Sequence, residues 1–208
     1  MNWSELYAAR NEIKKRFPSI WKLPLIKKEM DLLKINISDG MKILEIGAGD
    51  RRIGLQLKEL FPKIEYKSFD IDRMTFQDYY SLDEITEKFD LIYGFELIEH
   101  LSVEDGLEML YKVRKNLKSN GTLILGTPNL YHPHRYFGDL THITPYKFEE
   151  LGSLVSLAGY DVDTFYRKFN APYISRLLRI YIFSAIHKLL DIDFANTIFI
   201  TAKLNNSD

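Results

Sequence analysis

The chain has 208 residues, 46% of them hydrophobic and 27% charged, a globular composition that excludes a disordered tail protein. Its 28 Lys and Arg against 29 Asp and Glu leave a net charge of -1, without the basic excess expected of a protein that lives on a phosphate backbone. With no cysteine, disulfides, thiolate metal sites, iron–sulfur clusters and cysteine nucleophiles are all excluded.

The opening Met1-Asn2-Trp3-Ser4-Glu5 lacks the basic-then-apolar layout of a secretory signal. No apolar run reaches the roughly 18 residues of a spanning helix, so a cytoplasmic protein is expected. Residues 1–40 read as a helical cap. Ile13, Phe17, Ile20 and Trp21 fall at helical spacing until Pro18 interrupts them, and Leu25, Ile26, Met30, Leu32 and Leu33 suggest a second helix. Trp3, Tyr7 and Arg10 are placed either over a ligand or in surface packing.

Residues 41–46 read as a buried strand running into Gly47-Ala48-Gly49. Ile53, Leu57 and Leu60 then mark a helix that Pro62 closes. Strands follow at 64–69 and 89–95, a helix at 103–117, and a turn at Ser119-Asn120-Gly121. A strand at 121–126, a helix at 145–157, and strands at 160–169 and 197–204 complete the series. Alternating strands and helices with short connections predict a Rossmann-like three-layer α/β/α sandwich. Its sheet is expected to be mostly parallel, with an antiparallel C-terminal edge strand. One domain is expected: the cap at 1–40, a ligand-binding core at 40–170, and a C-terminal helix and strand at 171–208.

In an open α/β sheet the ligand sits beyond the carboxyl ends of the strands, where Gly47-Ala48-Gly49 lies. A dinucleotide loop needs a third glycine three residues after the second, and Arg52 stands there. Glu45 ends the first strand; a carboxylate repels a diphosphate but welcomes an ammonium or sulfonium. Asp70, at the end of the second strand, suits the two hydroxyls of a ribose. A ligand with a ribose, a positive end and no phosphate fits, and S-adenosylmethionine is one.

The run Ile43-Leu44-Glu45-Ile46-Gly47-Ala48-Gly49-Asp50 resembles the first motif of class I S-adenosylmethionine-dependent methyltransferases, of the small-molecule or sugar type. Phe69-Asp70-Ile71-Asp72 resembles the second, and residues 89–101, an apolar strand running into Ile98-Glu99-His100, the motif of the fourth strand. The turn before the fifth strand resembles residues 117–123. The resemblance covers residues 40–170 in the family's order. It implies that Glu45, Gly47, Ala48 and Gly49 hold the methionine end, Asp70 and Ile71 the ribose, and Gly94, Phe95 and Glu96 the floor. Asp78 and Tyr79 are implied beside the adenine. Arg51 departs from the family, which often has a third glycine there, and residues 73–88 are short for a helix and a full strand.

A sulfonium is an activated leaving group, so transfer needs an acceptor held in line and, for a hydroxyl, a base. Two places offer one. His100 follows Glu99 at the end of the 89–95 strand. The loop 128–142 carries Tyr131, His132, His134, Arg135, Asp139 and His142, and a loop of this length is often functional. Its Asp-x-Thr-His run resembles the family's acceptor-side segment. A base, an acceptor clamp and a metal site on His132, His134, Asp139 and His142 stay open, as does a purely structural loop; no metal ligand set is assigned. The preferred roles are His142 as base oriented by Asp139, His100 as a second catalytic candidate, and Arg135, Tyr131 and His134 binding the acceptor.

Ile174, Leu177, Leu178, Tyr181, Ile182, Ala185, Ile186 and Leu189 share one face of an expected helix over 173–190, with Arg176, Arg179, His187 and Lys188 mostly elsewhere. This helix can pack on its own sheet, pair with a second copy in a homodimer, or rest on a membrane surface beside a lipid-linked acceptor. The charge balance opposes nucleic acid, and Gly94-Phe95-Glu96-Leu97 stands where nucleic-acid amino-methylating members carry Asn/Asp-Pro-Pro-aromatic. A small-molecule, sugar or lipid-linked acceptor with oxygen methylation is expected. A non-catalytic binding module on the same fold and a nicotinamide-dependent oxidoreductase are the alternatives.

Overall fold

The computed structural model describes residues 2–205. Its seven strands are β1 (Leu25–Ile26), β2 (Lys42–Ile46), β3 (Glu65–Phe69), β4 (Phe89–Phe95), β5 (Leu117–Pro128), β6 (Tyr160–Lys168) and β7 (Thr197–Leu204). They form one sheet in the order β1-β6-β7-β5-β4-β2-β3. The pairs among β3, β2, β4 and β5 are parallel, and β7 runs antiparallel to both β5 and β6. The antiparallel C-terminal strand thus lies between β5 and β6, with the two-residue β1 beyond β6 as the edge.

Helices α1 (Trp3–Arg16), α2 (Glu29–Asn36), α3 (Arg52–Leu60), α4 (Val103–Lys115) and α5 (Phe148–Leu157) cover the two faces. Strand side chains alternate between them, as a pleated backbone requires. Leu44, Ile46, Ile92, Leu123 and Ile200 pack with Ile13 of α1, Leu110 and Val113 of α4, and Leu151, Leu154 and Val155 of α5. Ile43, Leu91, Tyr93, Ile124 and Phe199 pack with Leu32 and Leu33 of α2 and Leu57 of α3. The Rossmann-like sandwich with a mostly parallel sheet is therefore the observed fold.

Four local expectations are corrected. Leu25 and Ile26 are strand rather than helix, because Arg167 and Phe169 donate backbone hydrogens to the Pro24 and Ile26 carbonyls along β6. The expected turn at 119–121 is an irregularity inside β5, whose register to β4 shifts between Phe89 and Leu91. The 145–157 helix starts at Phe148, since Pro145 and Tyr146 belong to the incoming loop. The expected helix over 173–190 is broken into α6 (Tyr173–Leu177), a π-helical turn Leu178–Ile182, and α7 (Ser184–Leu189). Neither short helix has a buried residue, so no packed face enforces one regular axis.

Residues 73–88 hold no third full strand. They carry one parallel bridge from Tyr79 to Phe69 and a short 3-10 turn, Leu82–Glu84. In the cap, α1 lies on α5 through the Arg10–Glu150 ion pair at 2.8 Å, while Trp3 and Tyr7 are exposed and stack on each other at 5.4 Å.

Candidate active site

Strand β2 ends at Ile46 and the backbone turns at once. Gly47 and Gly49 take φ of +68° and +50°, the left-handed region that glycine enters without a steric penalty. The N–H groups of Gly47 and Ala48 both donate to the Phe69 carbonyl, tying this loop to the end of β3. Gly49 N–H donates to Asp70 Oδ2 at 2.8 Å, so the loop and the second acidic position are one unit. A Cβ at Gly49 would meet nothing within 4 Å; the space above it is open. A Cβ at Gly47 would approach the Leu97 side chain to 3.0 Å.

Arg51, where a glycine is usual, adopts φ +60° and caps α3 in the left-handed conformation. Its guanidinium donates to Asp78 Oδ2 at 3.1 Å and lies over the Phe76 and Tyr66 rings, 5.2 and 5.3 Å from their centroids. These contacts hold a backbone state that costs about 1–2 kcal/mol for an L-residue. They also draw the Arg51 side chain out of the cleft.

That cleft measures about 260 Å³. Phe69, Ile71, Leu82, Leu97, Leu101 and Met109 wall it with apolar surface, and Gly47 and Asp70 reach it from the loop side. Lys112, the one cation in its lining among the described residues, is paired with Asp83 at 2.9 Å and with Glu108. Asp105, capped by Ser102, and Glu108, paired with Lys112, also line it, so the cleft offers Asp70 to hydroxyls, apolar walls to a flat ring, and no free cation to a diphosphate. The residues present fit S-adenosylmethionine.

Several expected residues lie elsewhere. Glu45 is buried beneath α3 and accepts from the Tyr66 hydroxyl, so it braces the loop from behind. Burial pushes its carboxyl up to about 7, against the opposing pull of that hydroxyl. Asp78 is consumed by Arg51, by Lys67 at 3.3 Å, and by the N–H and hydroxyl of Ser68. Tyr79 donates its hydroxyl to Glu87. Gly94 is required by packing, since a Cβ there would sit 2.6 Å from Ile46 Cγ1. Phe95 packs between the Tyr93 ring, tilted to it, and the Phe199 ring, which it meets edge-on. Glu96, itself at φ +51°, accepts from Thr197 Oγ1 at 3.0 Å. Of the apolar wall, Ile71 was expected at the ribose, and Phe69, Leu97 and Leu101 lay inside the quoted motifs without a role of their own; Leu82 and Met109 carried no motif.

On the acceptor side, the 3-10 turn Ile98–His100 meets the loop after β5. Ile143 and Thr144 N–H both donate to the Glu99 carbonyl, at 2.7 and 3.0 Å. This clip brings His142 to His100, ring centroids 4.8 Å apart. Asp139 does not orient His142 as expected: it accepts from Thr141 N at 2.8 Å and Oγ1 at 2.7 Å, forming the loop's own turn. His142 Nδ1 instead faces the Tyr136 carbonyl at 2.6 Å, and His100 Nδ1 faces Thr141 O at 3.2 Å and its hydroxyl at 3.0 Å.

Glu99 is the residue whose weight the sequence understated. It is fully buried, Oε2 accepting from Thr127 Oγ1 at 3.1 Å while Oε1 has no hydrogen-bond partner among the described residues. Burial pushes its carboxyl up to about 8. Arg135 reaches Glu96 at 3.8 Å. Tyr131 packs against Trp21 and points its hydroxyl at Glu149, and His134 is exposed.

A family model described as a methyltransferase domain matches residues 23–164. The chain belongs to this methyltransferase family; it is an S-adenosylmethionine-dependent enzyme and carries the family's fold. Among solved structures, a SAM-dependent methyltransferase from Archaeoglobus fulgidus is similar at 16% identity, covering 95% of this chain and 94% of its own, TM-score 0.64. A TehB-like SAM-dependent methyltransferase from Corynebacterium glutamicum is similar at 17% identity over 97% and 98%, TM-score 0.58. A Haemonchus contortus phosphoethanolamine N-methyltransferase, in complex with phosphomonomethylethanolamine and S-adenosylhomocysteine, is similar at 14% identity over 85% of this chain and 52% of that one, TM-score 0.59. Among curated proteins none matches the chain in sequence.

Proposed function

We propose that the chain methylates a hydroxyl oxygen of a small-molecule, sugar or lipid-linked acceptor. The observation that carries this reading is the meeting of Glu99, His100 and His142 next to the cofactor cleft, reached through Leu97 and Leu101 of its wall. Two imidazoles and a buried carboxylate are groups that handle a hydroxyl proton, which an already neutral amine acceptor does not need removed before attack. When bound, S-adenosylmethionine supplies an electrophilic methyl on a sulfonium. The chain's own part is to hold the ribose at Asp70, the flat ring between Leu82 and Met109, and the acceptor over the 98–100 turn. Arg135, on the exposed rim beside Glu96, suits an anionic part of the acceptor.

The segment 173–190 supports a membrane-associated acceptor. It holds Arg176, Arg179 and Lys188 and no carboxylate, and it exposes Tyr173, Ile174, Tyr181, Ile182 and Leu189. Apolar bodies with a basic fringe suit an anionic lipid surface. Among the described residues no helix is long and apolar enough to cross a membrane. A homodimer through this surface is the competing occupant, and sedimentation with and without vesicles separates the two.

Calorimetric titration with S-adenosylmethionine and its demethylated product should give binding that Asp70→Ala weakens roughly 10- to 100-fold, the range for losing hydrogen bonds to a charged group. Mass spectrometry of reactions with hydroxyl and amine acceptors decides the atom. Transfer to amines alone would defeat the oxygen reading.

A further inference from the structure

We propose that Glu99, His100 and His142 form a binding site for a divalent first-row transition-metal ion beside the cofactor cleft. One donor atom from each lies within 4.8 Å of the other two. They come from two separate parts of the chain, Glu99 and His100 from the turn after β4 and His142 from the loop after β5, and the two N–H bonds to the Glu99 carbonyl bring these together.

The buried carboxylate is the first reason. Glu99 Oε1 is out of water and has no hydrogen-bond partner among the described residues, and Arg135 of the same region pairs with Glu96 instead. A buried carboxylate oxygen left without donor or cation is costly, and an ion between it and the imidazoles removes that cost.

The second reason is the setting of the two rings. A backbone carbonyl only accepts, so His142 Nδ1 carries its hydrogen toward Tyr136 O; His100 Nδ1 faces Thr141 O and Thr141 Oγ1, and that hydroxyl gives its own hydrogen to Asp139 Oδ1, so His100 Nδ1 donates as well. The tautomer this imposes leaves the lone pair on Nε2 of each ring. Ligating histidines are held in this way, by donating the other ring N–H to a carbonyl or carboxylate. A bland loop histidine has no need for both rings to be fixed in the same sense at one point.

The donor set is the third. Two imidazoles and one carboxylate, with no thiolate, suit Mn²⁺, Co²⁺ or Zn²⁺ and leave coordination positions open. Ligand distances of about 2.1 Å put bound donors roughly 3–3.5 Å apart, so the two half-buried rings would draw in slightly on binding.

The role of the ion rests on the oxygen-methylation reading; the site does not. In the open positions an acceptor hydroxyl binds and releases its proton to water more readily. Its oxygen lone pair forms the new O–CH₃ bond while the C–S bond breaks onto sulfur, leaving a neutral thioether.

Chelator-treated full-length protein is titrated with Mn²⁺, followed by its paramagnetic resonance signal, and with Co²⁺, followed by its visible bands. One ion per chain is expected. Glu99→Gln and His142→Ala should each weaken binding tenfold or more, with S-adenosylhomocysteine affinity and circular dichroism unchanged. Wild-type protein that takes up none of Mn²⁺, Co²⁺ or Zn²⁺ at millimolar concentration overturns the site whatever the variants do, as does equal binding by both variants. Stoichiometric ion uptake without any hydroxyl methylation supports the site and removes the oxygen reading. Hydroxyl methylation that is indifferent to chelation, by a chain that binds no ion, does the reverse.

Discussion

Between Ile46 and Arg52 the chain reverses direction in a few residues, and the N–H groups of its glycine loop find partners on the neighbouring strand end. Gly47 and Ala48 N–H go to Phe69 O, Gly49 N–H to Asp70, and Arg51 to Asp78. Between Tyr173 and Leu190 the reverse holds. The helices there are five and six residues long, a π turn joins them, and Leu189 is 83% exposed. The first region keeps its shape through short-range backbone bonds over a buried strand, so its geometry is set before any ligand arrives. The second has no core to order it, and an apolar surface of this kind gains order only from what it meets.

The sharpest way to break the contrast is at Gly54. A Cβ there would lie 1.9 Å from Tyr66 Cζ, whose hydroxyl is bound to Glu45, so either the ring leaves Glu45 or α3 shifts. Gly54→Ala should cost about 3 kcal/mol in urea unfolding, the upper end for overpacking, and loosen the glycine loop with it. A loss under about 1 kcal/mol would mean the loop is not braced from behind.

Glu45 offers a comparable effect with a pH signature. Its carboxyl sits at about 7 in the folded chain against 4.5 ordinarily. The folded state therefore keeps a proton that the unfolded chain has released. That contribution is complete below about pH 4.5 and is lost as pH rises through 7. Wild type should lose roughly 2–3 kcal/mol more stability than Glu45→Gln between pH 5 and pH 8, read from urea midpoints. Parallel pH curves for the two proteins would count against a buried, proton-holding Glu45.

The smallest expected effect lies in the open region. Ile174→Ser with Leu189→Ser, at side chains 70% and 83% exposed, should change stability by no more than about 0.5 kcal/mol. The same pair should reduce sedimentation with anionic vesicles several-fold. If it unfolds the protein instead, the segment is core, and the contrast drawn here fails.

Much of the cofactor half was legible because its signals are local. Glycines at positive φ, a buried strand before them and Asp70 at the next strand end lie within thirty residues. Even there, side-chain direction was not legible: Glu45 and Asp78 carry the expected types yet spend their carboxylates on Tyr66 and Arg51. The acceptor half was less readable. His142 was marked by its loop, but Asp139 was paired with it on sequence proximity, and the hydrogen bond goes to Thr141. Glu99 looked like a companion of His100, and nothing in a string of residues tells that one of its oxygens is sealed in without a partner.

Periodicity, the glycine spacing and the order of the acidic strand ends determined the sandwich and the kind of cofactor it takes. They sufficed because hydrophobic alternation and backbone turns depend on neighbours a few residues apart. Which carboxylates face the cleft, how β7 inserts between β5 and β6, and how Glu99, His100 and His142 converge were decided only in three dimensions. Those outcomes depend on burial and on hydrogen bonds between segments some forty residues apart, as in the N–H groups of Ile143 and Thr144 reaching the carbonyl of Glu99.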